Sequence, residues 1–148
     1  MFSQGRPKKG IMIQVFSQIQ KDKLLYSLLK ENNISEYRSD ICPDNEYLQI
    51  SARLLKSGTK VKAHKHLPIH RESDITQEAW VILEGKVKAT IFDLDDSICD
   101  EVILEDGDCL VLFRGGHSLE VLDKNTIMYE FKTGPYFGFE KDKETINE

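Results

Sequence analysis

The sequence predicts an all-β domain, an antiparallel sandwich or small barrel, and three observations carry that expectation. Short runs rich in branched and aromatic residues recur through the second half of the chain, with apolar side chains at alternate positions. Turn-forming pairs such as Glu84-Gly85 and Gly115-Gly116 separate them. No helical stretch intervenes, so neighbouring strands are expected to pair antiparallel and not through crossover helices.

Taken in order, residues 1–11, polar and basic in MFSQGRPKKG, are expected to be a flexible extension or an expression remnant, with Met12 as the expected natural start. Residues 12–45 form an N-terminal strand and helix segment. Its strand is the apolar piece IMIQVF, and its helix is expected over 17–32, where Leu24, Leu25, Leu28 and Leu29 make an i, i+4 stripe and Asn32-Asn33 supplies a left-handed stop. Pro43 and several Asp and Asn residues mark a loop over 37–45. The barrel itself is expected over 46–138. It opens with a strand over 46–55, in which Leu48, Ile50, Ala52 and Leu54 alternate with polar residues. Further strands are expected over 61–66, 77–83, 86–92, 101–104, 109–113, 118–122 and 126–132. Residues 139–148 form a charged tail, expected to fray.

With 148 residues, 40% hydrophobic and 30% charged, the chain suits one globular core. A net charge of −5 opposes a nucleic-acid partner, which needs a concentrated basic surface. No apolar run is long enough to span a bilayer and the N-terminus is unlike a secretory signal, so no membrane partner and a cytoplasmic location are expected. Cys42, Cys99 and Cys109 are odd in number and lack CxxC spacing, which points to reduced thiols. A P-loop, a dinucleotide glycine fingerprint and a Ser-His-Asp order are all missing.

The candidate site lies elsewhere. His64 and His66, two apart on an expected strand, point to the same face, and Glu78 shares its face with Trp80 and Ile82. His117 follows the glycine turn FRGGH. Three imidazoles and a carboxylate suit one divalent transition-metal ion, whether Fe, Mn, Ni, Cu or Zn. A lone surface histidine is usually incidental, but a pair at i and i+2 ahead of an acidic strand residue is harder to dismiss. Glu78 sits in a run apolar on both faces, where an unpartnered carboxylate is costly. His70, in the polar stretch HRESD, fits a solvated loop, and Lys60 and Lys62 fit the surface. Trp80, Tyr129, Phe131 and Tyr136 are core by default, with Trp80 the candidate wall for a bound small molecule.

Residues 50–132 resemble the cupin superfamily. Gly58, His64, His66, Glu78 and Gly85 resemble its first motif, with eleven residues, LPIHRESDITQ, between His66 and Glu78 where the family has three or four. Gly107, Phe113, Gly115 and His117 resemble the second, with Phe113 at the proline position and one residue fewer. The resemblance implies a double-stranded β-helix, the jelly-roll barrel, and metal ligation by His64, His66, Glu78 and His117. The segments ITQEAWVILEGKVKATIFDLDD, LEDGDCLVLFRGGH and YEFKTGPY resemble small cupins of sugar and surface-polysaccharide pathways. A metal-dependent enzyme acting on a small oxygen-rich metabolite, a carbohydrate derivative or carboxylate, is the resulting expectation. The alternatives are a metal-free nucleotide-sugar isomerase or epimerase, with His66 or His117 carrying a proton, and a noncatalytic binder or sensor. Zinc held by all four ligands would be closed and structural. Such proteins commonly pair, so a homodimer joined through a sheet edge or through IMIQVF is expected.

Overall fold

A computed structural model describes residues 12–123 and 125–147, so the expected extension over 1–11 lies outside the described residues. The strands are β1 (Ile13–Phe16), β2 (Leu24–Leu29), β3 (Ser39–Asp40), β4 (Ser51–Ala52), β5 (Glu78–Glu84), β6 (Lys86–Phe92), β7 (Ile98–Glu105), β8 (Cys109–Leu112), β9 (Gly116–Val121) and β10 (Ile127–Lys132). A 3-10 turn spans Glu31–Asn33, and one short helix, α1, spans Phe139–Asp142. The fold is therefore mostly β. One sheet runs β1-β2-β8-β5-β10, a second runs β7-β6-β9, and β3 and β4 pair separately. All described pairings are antiparallel, and the sheets do not close into a barrel.

The alternation of apolar residues explains how the two large sheets meet. Trp80 and Ile82 of β5, Leu110 of β8 and Tyr26 and Leu28 of β2 pack with Val87, Ala89 and Ile91 of β6 and Leu104 of β7. A second cluster lies on the opposite face of the five-stranded sheet. There Leu24, Leu29, Ala79, Cys109, Val111 and Phe113 are covered by Ile41 and Cys42, with Ile34, Leu48 and Ile50 at the margin. The middle strands β2, β8 and β5 are thus apolar on both faces.

That double burial overturns the helix expected over 17–32. Leu24–Leu29 is a strand between β1 and β8, with all six residues buried. A leucine stripe at i, i+4 is equally consistent with a strand covered on both sides. The strand expected over 46–55 shrinks to the two residues of β4. The strand expected over 61–66 is not formed, and residues 53–76 are exposed almost throughout. Lysines at 60, 62 and 65 leave residues 60–66 only Val61 and Ala63 as apolar side chains, too little for a buried strand face. No described helix is long and apolar enough to cross a membrane. Cys42, Cys99 and Cys109 are free thiols.

Two polar arrangements join the parts. Asp93, after β6, accepts hydrogen bonds from the Ser17 hydroxyl and from the Gln18 and Leu94 amides, the latter two at 2.7 Å. On the other side, the buried Glu46 carboxyl receives Arg114 Nη1 at 2.8 Å and Nη2 at 3.0 Å, and Gln77 Nε2 at 2.6 Å. Burial pushes the Glu46 pKa up, but the Arg114 and Gln77 hydrogen bonds outweigh it and hold the group below its ordinary value.

Two predictions follow from these constraints. Gly85, between β5 and β6, has φ 113°, and a Cβ there would fall on Thr126. Gly85→Ala should cost about 2 kcal/mol or more, seen as a thermal midpoint lower by roughly 5 °C in circular dichroism. For Glu46, a folded pKa below the unfolded one means that its contribution is complete above the ordinary Glu value of about 4.3 and is lost as pH falls through the folded value. Glu46→Gln should therefore lose about 2 kcal/mol in urea unfolding at pH 7, with the gap to the native chain narrowing below pH 4.

Candidate functional site

Strand geometry brings Glu78 and His117 together. Glu78 opens β5 and shares the inward face with Trp80 and Ile82, as period-two alternation requires. His117 lies near the start of β9, paired in register with Ile91, a core residue of β6. The preceding Gly115 has φ 78° and sits against the Phe92 carbonyl, a close approach that only glycine permits, and it turns the chain from β8 into β9. The two elements meet across the gap between the sheets.

The contacts are specific. The Trp80 indole Nε1 donates to Glu78 Oε1 at 2.6 Å, and Glu78 Oε2 lies 3.6 Å from His117 Nε2. The Trp80 and His117 rings meet edge to face, with centroids 5.3 Å apart and an interplanar angle of 82°. Burial lowers the His117 pKa, opposed chiefly by the nearby Glu78. The imidazole is therefore biased toward its neutral form, in which a ring nitrogen can bind a cation or accept a proton. These residues border a cavity of about 560 Å³, together with Phe92, Arg114 and Ile146, a size suited to a small metabolite.

The other expected ligands are placed elsewhere. His64 and His66 lie in the exposed stretch 53–76, edge to face with each other at 5.5 Å, and His64 Nδ1 is 2.9 Å from the Lys62 carbonyl. Among the described residues no group of three or more His, Cys, Asp or Glu side chains is gathered in a way that could hold a metal ion. The donor set thus fits an ion in part, with Glu78 and His117 together and the histidine pair apart. Lys60, Lys62 and His70 are exposed, the last 3.8 Å from Glu72. Trp80 keeps 1% of its surface exposed, so its main contribution to the site is the N–H that orients Glu78.

Sequence reasoning missed two parts of the site. Arg114, inside FRGGH, lines the cavity while clamping Glu46. The other part is the C-terminal stretch, in which Asp142, Lys143, Glu144, Thr145 and Ile146 line the same cavity instead of projecting from the sheets. The one signal was Ile146, a lone apolar residue in KDKETINE.

Because Glu78 is the main influence raising the His117 pKa, Glu78→Gln should lower it further, read from the imidazole proton shift in an NMR pH titration. The sign for stability follows. A histidine whose folded pKa lies below its unfolded value favours folding above that unfolded value, and stability falls as pH drops through the ordinary histidine range. The Glu78→Gln chain should show the steeper loss in that range. Compared with known proteins, the chain matches no family model, no curated protein and no solved structure.

Proposed function

We propose that the protein is a metal-binding member of the cupin superfamily, its two large sheets corresponding to the halves of a double-stranded β-helix. In this reading it is a metal-dependent enzyme acting on a small oxygen-rich metabolite. The observation that carries the reading is the meeting of Glu78 and His117 at a cavity of about 560 Å³, with Trp80 fixing the carboxyl group. A carboxylate oxygen and a neutral imidazole nitrogen are ordinary donors for first-row divalent ions. An ion there would supply Lewis acidity toward a bound carbonyl or hydroxyl.

The remaining donors require movement of residues 53–76. β9 is the edge of its sheet, and residues 60–66 alternate in side-chain direction once extended. Added along that edge in the matching register, they would present His64 and His66 on the face that carries His117. Twenty-five residues between β4 and β5, reaching about 80 Å at full extension, leave ample slack for this.

A second reading rests on the same pair. Glu78 and His117 alone could move a proton at a bound sugar without any ion, His117 acting as the carrier. Elemental analysis of protein purified without a histidine tag separates the two. One divalent ion per chain is expected, reduced at least tenfold in affinity by His117→Ala and by the His64→Ala, His66→Ala double substitution. Full stoichiometry in the double variant, with its circular dichroism unchanged, would remove His64 and His66 from the site. An ion-free native chain that still binds sugars would favour the proton-transfer reading.

A further inference from the structure

Beyond α1 the chain runs along the mouth of the cavity, and its attachment there is slight. Among the described residues the polar link is Lys132 Nζ of β10 to Asp142 Oδ2 at 3.3 Å. The other is apolar, the Ile146 side chain seated over Gly116 beside Phe92. Among the described residues no backbone hydrogen bond joins 140–147 to a strand, the local ones being Lys141 N to Gly138 O and Lys143 N to Phe139 O. Phe137 and Phe139, just before this stretch, are exposed and do not anchor it. The remaining walls are drawn from β5, β6, β8, β9 and β10, which are held by ladders of hydrogen bonds, and from Thr76, Arg114 and Gly115 beside them.

Gly116 makes the seat specific. Its neighbour Gly115 needs a positive φ, whereas Gly116 is a strand residue outside the positive-φ set. A glycine inside a strand weakens it and marks a place where something approaches closely. Here the approach is by Ile146, whose Cδ1 occupies the space a side chain at 116 would need. We propose that residues 142–146 are a detachable wall of the Glu78–His117 cavity, latched by Asp142–Lys132 and by Ile146 on Gly116, and that a small ligand enters by displacing it. The arrangement holds whether or not an ion sits between Glu78 and His117. Regions tied down by few buried contacts open locally at low cost while the core stays folded.

Trp80 is the one tryptophan of the chain, lines this cavity and is 1% exposed, so its fluorescence reports the wall directly. Acrylamide quenching of metal-free, full-length protein should rise about threefold in Ile146→Ser, and by a similar amount in Gly116→Ala, which disturbs the same contact from the opposite side. The double variant should add little to either single one, as expected for two halves of one contact. Leu29→Ala, in the second core on the opposite face of the five-stranded sheet from Trp80, controls for general loosening. Quenching unchanged in both single variants, additive effects in the double, or an equal rise in Leu29→Ala at matched thermal midpoint would each overturn the proposal.

Discussion

The bidentate clamp of Arg114 on Glu46 is the constraint on which both the fold and the site depend. Glu46 belongs to the stretch that covers the outer face of the five-stranded sheet, and Arg114 follows β8 on the way into the glycine turn that delivers His117. Gln77, fully buried and one residue ahead of Glu78, completes the set. Its Nε2 donates to Glu46 and its Oε1 accepts the Leu48 amide at 2.8 Å. Arg114 Nη1 also reaches the Leu24 carbonyl at 3.2 Å, which ties in β2. A buried carboxylate is tolerable only when its oxygens are satisfied, and here a charged and a neutral donor satisfy them. The covering segment, the start of β5 and the end of β8 are thereby fixed relative to one another, and with them the positions of Glu78 and His117.

What could be seen in the sequence was what local periodicity determines. Residues 86–92, where Val87, Ala89 and Ile91 alternate with polar partners, form β6 with the expected bounds. The strands over 78–84, 109–112 and 127–132 also lie close to expectation, because turns with Gly85, Gly107 and Asp123 delimit them. Residues 24–29 were misread because a strand buried on both faces has no alternation to display, and only its neighbours β1 and β8 decide its state. The short β3–β4 pair replaced a longer expected strand for a similar reason. Leu48 and Ile50 pack over the second core from a bent, irregular stretch, without a continuous ladder.

The site was legible to the extent that its members sit on strands. Alternation along β5 put Glu78 on the inward side with Trp80, and the glycine turn located His117. Residues 61–66 carried an equally clear alternation, yet side-chain direction along an extended segment does not specify a partner strand. Val61 is 54% exposed, and the lysines around it remain in water. Long-range packing of the tail was beyond local pattern altogether. Only the isolated Ile146 hinted that the tail has an apolar seat.

The charge distribution bears on how such a site closes. Between Arg53 and Arg71 the chain carries Lys56, Lys60, Lys62 and Lys65 and no acidic residue, whereas the cavity is bordered by four acidic residues, Glu78, Glu130, Asp142 and Glu144, against two basic ones, Arg114 and Lys143. Opposite signs favour approach of the two regions, although exposed charges a Debye length apart attract weakly at physiological salt. The apolar contribution from Val61 and Ala63 is small, about 2 kcal/mol even if both were fully buried. Neither term offsets the conformational entropy of ordering seven residues, on the order of 1 kcal/mol or more for each backbone unit. Under the proposed reading, ligation by His64 and His66 would have to supply the difference, so closure of residues 60–66 and capture of the ion would be a single coupled event. The Glu78–His117 pair, already positioned by Trp80 and the glycine turn, would be the fixed half of that site and the histidine pair its mobile half.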